Sequence, residues 1–175
     1  ACMTSESGDI ETVSEYIDEA KKMGFIILPP DINESFSDFT VVVEGTEITN
    51  KIRFGLNNIK NFGTEIGKAI IAERKERGPF TTIENFLERI LHRNLNKKSL
   101  EALIICGAMD MFGERGYLMA NIEEMLTFNK SLAEENNKGS ISLFDGMDDA
   151  PTARLIMKQA PDISRKQALA WEKEL

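Results

Sequence analysis

Long apolar runs, cysteine and histidine are all scarce in this 175-residue chain, and each scarcity removes a class of protein. No apolar stretch approaches the roughly 20 residues that cross a bilayer, so no membrane partner is expected. Cys2 and Cys106 are the only cysteines, and they lie too far apart for metal-type spacing. They read as two reduced thiols of a cytoplasmic protein, not as a disulfide framework. His92 stands alone, with no cysteine or acidic residue at ligand spacing, and reads as the end of a helix beside Arg93. The first eight residues lack the basic-then-apolar order of an export signal. Acidic side chains are scattered and never fall into a paired or metal-spaced group, so no catalytic residue, metal or cofactor is expected in this chain.

What the chain does have is unevenly placed charge. The net charge is −8. The first 50 residues carry −9, the next 50 carry +6 and the remainder −5. A basic centre between acidic flanks suits either a phosphate-contacting module or a solvated face, and charge alone leaves both open.

Hydrophobic periodicity places a helix over Ile10–Met23, capped by Asp9, with Val13, Tyr16, Ile17, Ala20 and Met23 inward and Gly24 as its stop. Its acidic residues are the solvated face. Phe25–Leu28 is a short apolar run cut by Pro29-Pro30. Phe39–Val43 and Lys51–Leu56 read as a β-hairpin with a long polar loop that contains Gly45. Helical signals follow: Thr64–Arg77, ended by Gly78-Pro79; then a helix opened by a Thr81/Glu84 capping box, with Ile83, Phe86, Leu87, Ile90 and Leu91 inward. Asn96 caps a further helix with Leu100, Leu103 and Ile104 inward, ending at Gly107. Tyr117–Ala133 reads as one long amphipathic helix using Leu118, Ile122, Met125, Leu126 and Leu132. Asn136–Pro151 reads as a polar linker, and Ser164 with Gln167 opens a last helix that reaches Leu175 without a C-cap, so the chain is expected to continue. Trp171 reads as a packing anchor. The expected fold is mainly α with a small β-hairpin.

The informative stretch is Leu56 to Ile71. Two helices are joined by a tight turn, Asn61-Phe62-Gly63, with Phe62 inward and Gly63 just before the second helix. Unpaired N–H groups and the positive end of that helix would then face outward as an anion site, flanked by Lys60 and Lys68. Gly67 and Ala69 are small enough for close helix approach. The pattern resembles a helix-hairpin-helix motif whose first glycine is replaced by Asn61, a residue that tolerates left-handed backbone. Such a site reads the DNA backbone without reading sequence.

Further motifs lie in order along nearly the whole chain: Glu15-Tyr16-Ile17, Lys22-Met23-Gly24, Leu28 to Asn33, Ile52 to Leu56, Gly78-Pro79-Phe80, Leu95-Asn96-Lys97-Lys98, Gly107-Ala108-Met109-Asp110 and Trp171 to Leu175. Together they resemble the alpha-subunit family of bacterial DNA polymerase III, from the end of the fingers through a tandem helix-hairpin-helix domain. The resemblance implies the end of the fingers at residues 1–35, a β-hairpin connector at 36–56 and the tandem domain with flanking helices at 57–115. It also implies an amphipathic helix at 116–135, a linker at 136–163 and a helix leading toward an OB domain at 164–175. It implies a DNA-directed DNA polymerase as parent, with magnesium held by palm carboxylates upstream of Ala1 and other replicase subunits bound through further regions. The DNA-backbone contacts implied are Lys60, Asn61, Phe62, Gly63, Thr64 and Lys68, with Lys97 and Lys98 on the second unit and double-stranded DNA as partner. Ser140-Ile141-Ser142-Leu143-Phe144 resembles the family's internal sliding-clamp-binding peptide, with Ser140 where the family prefers Gln and Leu143 and Phe144 as anchors. The residues alone also allow a helix-hairpin-helix module of a repair nuclease or ligase, a passive connector between domains, or a Leu143/Phe144 pair that folds back on the helices.

Overall fold

The computed structural model describes residues 10–138 and 154–159, with side chains at 15–136 and 154–159. Asp9, the Ser140–Phe144 peptide, the helix expected from Ser164, and Trp171 lie outside the described residues. Helix α1 runs Ile10–Lys22, and the chain leaves it at Gly24 with φ +87°. Ala20 is buried, but Met23, expected inward, is 70% exposed. The reason is that α1 packs chiefly on one three-residue strand, too short to cover the end of the apolar stripe.

That strand is β1, Ile26–Leu28; with β2 (Thr40–Glu44) and β3 (Glu47–Arg53) it forms a sheet of order β1-β3-β2. β1 pairs parallel to β3, with Ile27 opposite Ile52. β2 pairs antiparallel to β3, with Val43 opposite Ile48 and Glu44 opposite Glu47. The expected long loop is therefore a two-residue turn in which Gly45 takes φ +64°. Polar Glu47 and Asn50 belong to the strand because they are exposed there, so polarity does not mark a loop.

The segment from Asp31 to Ser35 ties the sheet to the helices. Asp31 Oδ1 accepts from the N–H of Asn33 (2.7 Å) and Glu34 (3.1 Å), closing an Asx turn. Ile32 enters the core fully, and its N–H donates to the Ala108 carbonyl at 3.0 Å. Asn33 grips the Phe80 backbone at both ends: Nδ2 donates to the carbonyl (2.9 Å), and Oδ1 accepts from the N–H (2.8 Å). Arg74 donates to the Ile32 and Ser35 carbonyls, both at 2.9 Å. The Pro-Asp-Ile-Asn motif is thus a structural clasp.

A 3-10 turn at Leu56–Asn58 precedes α2 (Thr64–Arg77), α3 (Ile83–Arg89) and α4 (Lys97–Ile105). A second 3-10 turn at Asp110–Phe112 leads to α5 (Arg115–Ala120) and α6 (Ile122–Lys138). Phe62, Ile66, Ile70, Phe80, Phe86, Leu87, Leu100, Leu103, Ile104, Met109, Leu118 and Met125 share one core. α6 packs across α3 and α4. α3 is capped by Thr82, whose side chain accepts from the Asn85 N–H at 3.1 Å, so the cap lies one residue beyond the expected Thr81 and the Thr81/Glu84 capping box is not formed among the described residues. The single helix expected over Tyr117–Ala133 is broken at Asn121, which leaves the helical region at φ −109° and ψ 14°. Buried Asn121 grips the Lys158 backbone, donating to its carbonyl (2.9 Å) and accepting from its N–H (2.7 Å). Buried Asn129, on α6, donates to the Leu87 and Ile90 carbonyls at 2.7 and 3.0 Å and closes the end of α3. Cys106 is buried, and burial pushes its thiol up to about 12, so it is an inert core residue.

Candidate nucleic-acid interface

The hairpin before α2 is built on a buried anchor and a left-handed corner. Phe62 is buried, and its N–H donates to the Ile59 carbonyl at 3.2 Å. Asn61 takes φ +61° and is the only non-glycine residue with positive φ among those described. Asn was expected to tolerate that conformation, and it adopts it. The first arm is shorter than expected, one 3-10 turn in place of a helix. Gly67 sits under that turn: a Cβ there would lie 3.2 Å from Asn57 Oδ1 and 3.4 Å from Phe62 Cε1. The small residue sets how closely α2 approaches the turn.

Gly63 is the N-cap of α2, and no side chain caps the helix. The first intrahelical bond runs from the Gly67 N–H to the Gly63 carbonyl at 3.3 Å. The N–H groups of Thr64, Glu65 and Ile66 therefore have no acceptor within the helix. Gly63 has φ −74°, and a Cβ there would find nothing nearer than Ile66 Cγ2 at 4.0 Å. Neither backbone nor packing requires glycine here. Asn61, Gly63 and Thr64 are exposed beside Lys60, which has no ion pair among the described residues. Lys68 is exposed but bound: its Nζ lies 2.8 Å from Glu65 Oε1.

The second unit repeats the first with a changed cap. Arg93-Asn94-Leu95-Asn96 stands in register with Lys60-Asn61-Phe62-Gly63. Leu95 is buried like Phe62, and its N–H donates to the His92 carbonyl at 2.8 Å, the same three-residue turn. Here the helix end is occupied internally. Asn96 Oδ1 accepts from the Ser99 N–H (3.1 Å), and Ser99 Oγ accepts from the Asn96 N–H (2.8 Å). Lys97 is paired with Glu123 at 2.7 Å, which holds its ammonium charged above the usual lysine range, while Lys98 is exposed and unpaired among the described residues. His92 lies three residues beyond the end of α3 rather than ending a helix, and its Nδ1 accepts from the Asn94 N–H at 3.2 Å. Sequence reasoning passed over Arg93; the repeated basic-Asn-apolar-cap pattern was the signal that could have found it.

Among the described residues no three His, Cys, Asp or Glu side chains are grouped where they could hold a metal ion. No helix among them is long and apolar enough to cross a membrane.

The family model described as helix-hairpin-helix motif matches residues 24–117, more than half of the chain. The chain is similar to the DNA polymerase III subunit alpha of Thermus aquaticus, 36% identical over 174 residues, 99% of this chain and 13% of that protein. It is similar to the subunit of that name from Deinococcus radiodurans, 37% identical over 176 residues, again 99% and 13%. The Helicobacter pylori subunit is 37% identical over 163 residues, 90% of this chain and 13% of that protein. The chain thus spans about 13% of the length of these curated relatives.

Proposed function

The chain belongs to the helix-hairpin-helix motif family, and on that premise we propose that it is the backbone-gripping segment of a replicative DNA polymerase III alpha subunit. The observation that carries the reading is the uncapped N-terminus of α2, presented by the left-handed Asn61 corner beside Lys60. Backbone N–H groups at a helix start accept a phosphate oxygen with little selectivity for the base attached to it. Lys60, the Asn61–Gly63 turn, Thr64 and Lys68 make the first contact; Lys97 and Lys98 add positive charge on the second unit. Phe62 acts through the core, holding the turn in shape. The activity belongs to the longer protein: template-directed nucleotidyl transfer in the cytoplasm, alongside other replicase subunits. Magnesium for that transfer would be held by palm carboxylates upstream of Ala1, as the family resemblance implies.

Duplex DNA binding by the 175-residue chain is expected to be weak, about 10⁻⁴–10⁻⁶ M or weaker at physiological salt, and independent of sequence. The double charge reversal K60E/K68E is expected to lower affinity by more than about tenfold and to flatten the salt slope by about two. Titration of a mixed-sequence duplex at several salt concentrations checks this. Equal affinity and slope in the double variant would rule out this face as the contact, and a chain with no salt-dependent binding at all would be a passive connector.

The Ser140–Phe144 peptide extends the proposal to a second partner, the sliding clamp. The support is the resemblance of its sequence and its Leu143/Phe144 pair, whose burial in a partner's pocket yields roughly 1.5–3 kcal/mol per side chain. Binding to the clamp of the same organism is expected to be weak, to tighten on Ser140→Gln and to vanish when Leu143 and Phe144 both become Ala. Calorimetric titration decides it: undiminished binding by the Ala pair rules the peptide out.

A further inference from the structure

Exposed apolar side chains gather at one end of the molecule. Of the eight large hydrophobic residues exposed among those described, six lie between Met23 and Ile48, and only Met111 and Ile156 lie elsewhere. Three of the six sit together on the sheet. Val41 and Val43 are two apart in β2 and share a face, and Val43 stands opposite Ile48 on β3. They are 41%, 56% and 79% exposed. The strip continues through half-buried Ile52, opposite Val41, to Ile27 on β1. The backbone beside it is open as well, because the order β1-β3-β2 leaves β2 at an edge. Glu44 and Glu47 flank the two-residue turn, so their N–H and C=O groups face each other across the hairpin. That direction alternates along a strand, so Val42 also faces β3, and the Thr49 hydroxyl donates to its carbonyl at 2.7 Å. Val41 and Val43 therefore turn their N–H and C=O groups outward, where no described residue outside the sheet bonds to them. Shortness and an irregular register between Val41 and Val43 are the only guards on this edge. It has no proline or lysine, and its single charge, Glu44, is held by Lys51 at 2.6 Å.

We propose that the outer edge of β2 takes a further strand, supplied by the polymerase's own polypeptide outside these 175 residues. The inference rests on the polymerase reading above, since this chain spans about 13% of the length of its curated relatives, and it adds an internal docking edge. The incoming strand pairs with the outward N–H and C=O groups of Val41 and Val43. It lays β-branched or aromatic side chains beside Val41, Val43 and Ile48. A second copy of the chain is a poorer occupant. Two chains of net charge −8 repel each other, and a five-residue edge buries far less than the roughly 1,200 Å² of a stable complex. A strand on the same polypeptide is already held nearby, so a small edge is enough. Paired in this way, the sheet joins the body of the enzyme, and the Asn33 and Arg74 bonds carry that attachment to the hairpin units.

The test is amide hydrogen exchange in the full-length protein that carries this chain, followed by mass spectrometry at residue resolution. The Val41 and Val43 amides are expected to exchange at least about 100-fold more slowly than in an unstructured peptide of the same sequence. V43K/I48K, which changes two exposed side chains, is expected to erase that protection. Ile156→Lys, at an exposed residue away from the sheet, is expected to leave it within about threefold. The Ile32 amide, bonded to the Ala108 carbonyl in the core, keeps its protection in every variant and reports that the fold is intact. Fast exchange at Val41 and Val43 in the full-length protein overturns the proposal. So does protection that survives V43K/I48K, because the edge is then shielded without the apolar strip. Protection that falls on dilution also overturns it and assigns the edge to a second copy. Template-directed synthesis by the same preparation separates the two readings. Synthesis without edge protection sinks the added strand alone, and protection without synthesis sinks the polymerase reading alone.

Discussion

Replacing Arg89 with Ala is expected to destabilise the chain by about 3–5 kcal/mol, measured by chemical denaturation with circular dichroism. The side chain is only 5% exposed, and its guanidinium uses all three nitrogens. Nε donates to Glu73 Oε1 (3.0 Å); Nη2 donates to the Glu73 and Gly78 carbonyls (3.0 and 2.8 Å). Nη1 reaches the Pro79 carbonyl (3.2 Å) and Asn85 Oδ1 (3.3 Å). The group also lies over the Phe80 ring, 4.4 Å from its centroid. These acceptors include the Gly78 and Pro79 carbonyls of the turn that follows α2, which no helix hydrogen bond satisfies. Truncation leaves them without their donor and strands Glu73 with one exposed partner, Arg77 at 3.1 Å. Lys at this position carries the charge but not the fork, so Arg89→Lys is expected to recover less than about half of the loss. A cost below about 1 kcal/mol for Arg89→Ala would show that water replaces the network.

Gly55→Ala is expected to cost about 2–4 kcal/mol, although its φ of −82° suits any residue. The obstacle is a neighbour. A Cβ at Gly55 would lie 2.4 Å from the Asp38 carbonyl carbon and 2.6 Å from the Ser37 oxygen, both backbone atoms. The Leu56 N–H donates to the Phe36 carbonyl (2.8 Å), and the Asn57 N–H to that of Ser37 (2.9 Å), so the two strands of chain cannot part cheaply. Restricting the unfolded chain returns only about 0.4–1 kcal/mol. Gly63→Ala is the contrast: its Cβ meets open space, so its stability cost should stay below about 1 kcal/mol while DNA affinity falls. Thermal unfolding of the two variants side by side separates them; equal losses would contradict the packing argument.

Local signals were legible in this sequence, and distant partnerships were not. The bounds of α2 at Thr64 and Arg77, the Asn96 cap and the left-handed corner at Asn61 each depend on a few neighbouring residues, and each was found. The break at Asn121 was missed because its amide serves a backbone 37 residues away. The turn at Gly45 was read too long because the polar Glu47 and Asn50 of β3 are exposed on the strand, among the described residues. At the proposed interface the lysines could be named but not their occupancy: Lys68 and Lys97 face Glu65 and Glu123, and nothing in their spacing says which acid wins. The motifs Pro-Asp-Ile-Asn and Gly-Ala-Met-Asp gave a resemblance before they gave a reason. The reason is joinery: Asn33 on Phe80, Ile32 on Ala108, and Asp110 holding Arg115 by two bonds of 2.7 Å.

The Asn33 clasp also bears on how the chain opens. A segment whose amide seals the backbone 47 residues downstream cannot detach alone without baring the Phe80 N–H and carbonyl and uncovering the cavity that Ile32 fills. The short loop and the hairpin units therefore open as one cooperative block, with the slow amide exchange of a core despite the loop's place near the surface. Transplanted into another protein, the hairpins would carry their stability with them only if the graft began upstream of Asp31.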